Sequence, residues 1–228
     1  MMILNGGNTL KGFGGALIGA ALALTQASLA LDAEPAETSR LSSPNNLCTN
    51  GDYERLRQAA DRGDQAAQTE FAELLIHGAC ERPDTIAAID YLKRAAASGD
   101  AQAAYALGEI YFMANTDADT LEHARLFFKQ AAETGHVEAK HRLGLSVLLL
   151  AKDDAERFLG LAHLGEAASA GHGLSAASLA AMHELGLHGV QSDPCVALDW
   201  YRAAEMIGFV AAASRRKQIE DVWRSDCY

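Results

Sequence analysis

Four cysteines, eight histidines and one S-x-x-K phrase are the features of this 228-residue chain that could carry chemistry. Cys48, Cys80, Cys195 and Cys227 form an even set with no C-x-x-C spacing for thiol exchange and no nearby histidines at zinc-finger spacing. His136 and His141 stand five residues apart, as do His183 and His188, and that spacing does not stack two imidazoles on one helical face. No H-E-x-x-H phrase occurs. Ser214-Arg215-Arg216-Lys217 matches the S-x-x-K of serine acyl-transfer enzymes, but neither S-D-N nor K-T-G follows it. Asp153-Asp154 reads as a pair of solvated charges rather than a general acid and base. The chain therefore reads as a non-enzyme with no catalytic residue, no cofactor and no metal.

The elements that position these residues repeat. Gly63, Gly99, Gly135, Gly171 and Gly208 follow one another at steps of 36, 36, 36 and 37 residues, each after a small-residue phrase such as Ala59-Ala60, Ala95-Ala96, Ala131-Ala132, Ala167-Ala168 or Ala203-Ala204. A period in this range marks a solenoid, in which each unit buries its apolar face only against its neighbours. Four residues after each glycine stand Ala67, Ala103, Ala139 and Ser175. Eight after stand Phe71, Leu107, Leu143 and Leu179, and nine after stand Ala72, Gly108, Gly144 and Ala180. This spacing places a small and a large apolar residue on one face of a leading helix. A trailing amphipathic stretch returns to the next glycine through Ala88 to Leu92, Ala124 to Phe128 and Ala197 to Tyr201. The glycine ends it in a left-handed backbone conformation. Each unit is thus a helix–turn–helix hairpin.

The fourth unit carries a family phrase: Gly189-Val190, Asp193-Pro194, Ala197, Trp200-Tyr201 and the run from Ala204 to Gly208. It resembles the Sel-one-like repeat, a relative of the tetratricopeptide repeat, over about residues 53 to 224. The resemblance implies an all-α fold, a right-handed alpha-alpha superhelix of such hairpins. It also implies that the leading helices line the concave side and that the protein acts through protein–protein interaction. Exported bacterial members include inhibitors of sensor kinases and factors for host entry or envelope maintenance. Some cysteine-rich relatives are described as weak penicillin-binding or β-lactam-hydrolysing proteins, the alternative function here, alongside a purely structural envelope component. Two departures from the pattern stand out: the third unit has Gly160 where others have Ala, and the one-residue excess falls in the loop of the fourth unit.

Hairpin order makes the cysteine pairing predictable. Cys48 precedes the first helix and Cys80 follows the antiparallel helix after it, while Cys195 opens the last trailing helix and Cys227 ends the terminal one. Both separations are 32 residues. The expected bridges are Cys48–Cys80 and Cys195–Cys227, one at each end of the array. Arg216 and Lys217 stand where earlier units have Leu and Gly or Ala, as suits a terminal cap with no following neighbour.

Residues 1–30 read as a signal peptide, with Lys11, an apolar run from Phe13 to Leu24 and Ser28-Leu29-Ala30 as the cleavage phrase. Residues 31–46 read as a flexible leader and 47–228 as the solenoid, about four full repeats plus terminal cap helices. The paired cysteines and the signal point to a periplasmic or secreted product. A formal net charge of −11 repels nucleic acid and anionic head groups, which leaves a protein partner in the envelope. No stable membrane insertion is expected after signal removal. The candidate partner-binding residues lie six, ten and thirteen positions after the glycines: Ile76, Tyr105, Glu109, Phe112, His141 and Leu148. They read either as an apolar groove across three leading helices or as packing between them.

Overall fold

A computed structural model of the protein describes Cys48 and residues 51–114 and 117–227. The expected signal peptide and leader lie outside the described residues. Ten helices follow one another among the described residues: α1 Asp52–Asp61, α2 Gln65–His77, α3 Thr85–Ala97, α4 Ala101–Ala114, α5 Ala118–Glu133, α6 Val137–Leu150, α7 Asp154–Ser169, α8 Gly173–Leu185, α9 Pro194–Met206 and α10 Ala211–Cys227. Each packs chiefly on the helices before and after it in sequence, as a one-dimensional repeat array requires. Even-numbered helices are the leading ones and odd-numbered helices the trailing ones.

The glycine phrase works as a compact corner. All five repeat glycines have φ between 92° and 102°, a region that a Cβ disfavours. The glycine N–H and the following N–H turn back onto the small-residue pair, as Gly99 N to Ala96 O at 2.9 Å and Asp100 N to Ala95 O at 3.1 Å. The same two bonds recur at Gly63, Gly135 and Gly171, and at Gly208 they fall on Glu205 and Ala204, which gives two late carbonyls of each of these trailing helices a partner. The residue after the glycine then caps the next helix. Asp64, Asp100, His136 and His172 accept from the backbone N–H of Ala67, Ala103, Ala139 and Ser175. One termination and one initiation share two residues, which makes the corner rigid and the period regular. Asp84, Asp117, Asp153 and Asp193 cap the trailing helices in the same way.

Core positions follow the expected spacing. Ala67, Ala103, Ala139 and Ser175 are buried, as are Phe71, Leu107, Leu143 and Leu179. Gly160 has a steric role. A Cβ on Gly144 would lie 2.9 Å from the Gly160 carbonyl oxygen, and one on Gly160 would lie 2.7 Å from Leu148 Cγ. The third hairpin therefore brings α6 and α7 closer than side chains would permit. The fourth unit holds its extra residue in the loop, residues 186–193, against 78–84 in the first.

Disulfides join Cys48 to Cys80 and Cys195 to Cys227, with Cα atoms 5.4 and 5.2 Å apart. On α10, Ala212 and Ile219 are buried against the rest of the array while Lys217 is exposed. Arg216 stands at the repeat position of the core leucine and pairs with Glu205 and Glu220 at 2.7 and 2.6 Å. The cap is not wholly polar, because Val222 is 70% and Trp223 42% exposed.

Candidate protein-interaction surface

Successive leading helices are joined by contacts that repeat with the period. The residue six after each glycine meets the capping residue of the next leading helix. Thr69 donates to Asp100 at 3.2 Å, Tyr105 stacks on His136 with ring centroids 4.7 Å apart, and His141 lies 4.7 Å from the His172 ring. The residue thirteen after the glycine points the same way: the Arg142 guanidinium sits over the Phe112 ring at 5.6 Å, and Arg215 pairs with Glu184. Ten after the glycine, Glu109 forms a two-point pair with Arg142 at 2.8 and 2.9 Å. Burial pushes the Glu109 carboxyl above its ordinary range, against the opposing pull of Arg142. Tyr201, whose hydroxyl donates to Glu184 at 2.9 Å, is raised above the usual tyrosine range by burial first and that carboxylate second.

This geometry corrects part of the expected groove. His141 and Leu148 are each only 4% exposed and are not available to a partner. Leu148 fills the space beside Gly160. His141 is enclosed with Ser175 and His172, and its imidazole is pushed down to about 3, first by burial and then by His172 and Arg142. His172 Nδ1 accepts the Ser175 backbone N–H, so that nitrogen is unprotonated. The Ser175 hydroxyl lies 2.8 Å from His172 Nδ1 and 2.9 Å from His141 Nδ1 and so bridges the two rings. Ile76, Tyr105, Glu109 and Phe112 are half-buried and belong to the same inter-helix layer.

The position fourteen after the glycine is exposed on each of α2, α4, α6 and α8. At fourteen stand Met113, Leu149 and Leu185, which are 73%, 56% and 52% exposed. Three consecutive leading helices thus present a large apolar side chain at one repeat position, and sequence reading missed this row by one residue. Leu145 and Ala181, ten after their glycines, extend it half-buried, while α2 and α4 carry Glu70, Glu73 and Glu109 on the same face. The surface grades from acidic at the first leading helices to apolar at the later ones.

The other candidate chemistry is dispersed. Ser214 and Lys217 are exposed on α10, and the Ser214 hydroxyl donates to the Ala211 carbonyl. Among the described residues no three His, Cys, Asp or Glu side chains converge to hold a metal ion. No described helix is long and apolar enough to cross a membrane.

No family model matches the chain, and no curated protein matches it. Solved structures do. The crystal structure of a Sel1 repeat protein from Oxalobacter formigenes is 25% identical, with a TM-score of 0.58 over 70% of this chain and 65% of that one. The chain has the helical-repeat fold of Sel1-like repeat proteins. It spans 65% of the length of the Oxalobacter protein, so what that whole protein does is not carried over. The immunity protein Pa5087 from Pseudomonas aeruginosa is 23% identical, with a TM-score of 0.48 over 85% of this chain and 68% of that one. The protective antigen c5321 of uropathogenic Escherichia coli, described as displaying an SLR fold, is 21% identical, with a TM-score of 0.38 over 74% and 44%. Within this Sel1-like array, the two disulfides accord with an oxidising compartment.

Proposed function

We propose that the chain is a non-enzymatic adaptor or regulatory scaffold of the bacterial periplasm that holds a partner protein on the face of its leading helices, the concave face of a Sel1-like array. The observation that carries this reading is the row of Met113, Leu149 and Leu185. Isolated exposed apolar residues are ordinary, but three at one repeat position on adjacent helices form a patch of the kind that marks interaction sites. Affinity would concentrate in these anchors, with Ile76, Tyr105, Glu109 and Phe112 forming the firm layer beside and behind them. The carboxylates of α2, Glu70 and Glu73, favour a partner whose contact segment is apolar at one end and basic at the other. The signal peptide reading and the two disulfides support export.

The test combines in-cell crosslinking from the leading-helix face with affinity purification of wild type and of the Met113→Asp, Leu149→Asp and Leu185→Asp triple variant. These side chains are exposed, so helix content and unfolding midpoint should change little. The crosslinked partner should be lost from the variant by tenfold or more. Unchanged capture by a folded variant refutes the assignment. Cell fractionation tests the compartment independently.

A further inference from the structure

The buried apolar side chains fall into separate clusters among the described residues, and the first break between clusters runs through α6. One cluster extends from Tyr53 of α1 to Leu143 and Val147 of α6. The next takes up Leu148 of α6 with Leu164 of α7 and with Leu179 and Met182 of α8. No buried or half-buried apolar side chain of α7 packs on the first cluster among the described residues. Beyond the break the array is tied together again. Trp200 of α9 packs both on the cluster of Leu164 and on the last one, which runs from Ala168 to Ile219. On the trailing side the break stands open as a cavity of about 550 Å³ between α5 and α7, with Leu143 and Val147 in its lining.

Comparison among the repeats shows what is replaced there. Eight residues before each repeat glycine stand Tyr91, Phe127, His163 and Trp200. Tyr91 packs on Phe71 and its hydroxyl donates to Asp61 of α1, Phe127 stacks on Tyr111, and the smaller His163 lines the cavity. Five before the glycine, Arg94 donates to the Ala60 carbonyl at 3.0 Å and Gln130 to that of Ala96 at 2.6 Å, so α1, α3 and α5 are bonded in series. Glu166 takes this position in α7. An ionised carboxylate does not donate to the Ala132 carbonyl, and Glu166 pairs instead with Lys140 of α6 at 3.0 Å. The rim pairs Arg125–Glu122 and Lys129–Glu133 close within α5 and do not reach α7.

The two parts are held together on the other side of α6. His141 of α6 and His172, the cap of α8, share the Ser175 hydroxyl at 2.9 and 2.8 Å. Helices α6 and α7 meet at Gly144 and Gly160, where a Cβ on either would strike the other's carbonyl oxygen at 2.9 or 3.0 Å. We propose that the array carries a hinge at this point: α7 and the helices after it rock as one body on α6, about the Gly144–Gly160 contact, and so open and close the gap to α5. Packed clusters move as units, and motion collects where packing and hydrogen bonding are interrupted. The leading helices stay in contact throughout, so the motion alters the curvature of the array and not its order. It requires no ligand and no partner.

Distances between paired spin labels measure this in the full chain. The four native cysteines are bridged, so cysteines introduced at exposed sites take the labels. Lys129→Cys with Asp199→Cys spans α5 to α9 across the break, and Arg57→Cys with Lys129→Cys spans α1 to α5 across the bonded junctions. The first pair should give a distance distribution about twice as wide as the second. His163→Phe with Glu166→Gln supplies a larger ring and a donor, and should narrow the first distribution to the width of the second. Gly165→Ala, which meets nothing within 4 Å, stiffens α7 without filling the gap and should leave the width unchanged. Equal widths for the two pairs in the otherwise wild-type chain overturn the proposal whatever the fate of the variants. A folded His163→Phe/Glu166→Gln chain with an unchanged distribution overturns it too, as does equal narrowing by Gly165→Ala.

Discussion

His141 offers a quantitative test of the inter-repeat layer through pH. In the folded chain its imidazole is neutral, enclosed between Ser175 and His172, and depressed to about 3. In the unfolded chain it returns to about 6.5. Because the folded pKa is the lower one, the unfolded state binds the additional proton, and stability falls as pH falls below about 6.5. Integrating between pH 7.5 and pH 5 for this pair of values gives a loss of about 2 kcal/mol from this residue alone. His163, His183 and His188 are also lowered by burial and act in the same direction. Glu73 and Glu109, raised by burial, act oppositely. The informative quantity is therefore the difference between wild type and His141→Asn, whose amide can still donate to Ser175 but does not titrate. Urea unfolding at several pH values should show wild type losing about 2 kcal/mol more than the variant over that interval. Equal pH dependence in the two proteins would refute the neutral, enclosed imidazole.

Further outcomes follow from the corners and the staples. Each disulfide closes a loop with a sequence separation of 32, and on the chain-entropy account its removal costs about 3–4 kcal/mol. In a one-dimensional array that loss should appear first as faster hydrogen exchange in α1 for Cys48→Ala/Cys80→Ala and in α10 for Cys195→Ala/Cys227→Ala, with α5 and α6 unchanged. Gly160→Ala should destabilise by about 1–2 kcal/mol in urea unfolding, because its Cβ meets Leu148 and the Gly144 carbonyl and overpacking outweighs the helix-propensity gain. Gly165→Ala on the same helix meets nothing within 4 Å and should stabilise by up to about 1 kcal/mol.

The solenoid was legible because its punctuation is local. A glycine in the left-handed region, a small pair whose carbonyls receive the returning N–H groups, and a cap one residue later are all determined within about seven residues, so the period transmits directly into structure. The cysteine pairing was legible for the same reason: hairpin order alone brings Cys48 to Cys80 and Cys195 to Cys227. His136 and His172, which follow their repeat glycines, have a structural role: they cap α6 and α8 as Asp64 and Asp100 cap α2 and α4.

The displaced binding row shows what a repeat register does not supply. Adjacent positions on an α-helix differ by about 100°, so moving from thirteen to fourteen after the glycine takes Phe112, Leu148 and Glu184 to Met113, Leu149 and Leu185. Both triplets are largely apolar, and hydrophobic pattern alone does not rank them. What separates them is the direction of the next leading helix, a superhelical property shared between repeats rather than one belonging to any single repeat. Contacts that cross the boundary fix it: Phe112 with Arg142, Glu184 with Arg215, and Thr69 with Asp100 all point toward the following unit. Once the faces at six and thirteen are committed to that boundary, the position left exposed on α2, α4, α6 and α8 is fourteen after the glycine. The same contacts that hold one leading helix against the next therefore determine which apolar side chains remain free for a partner.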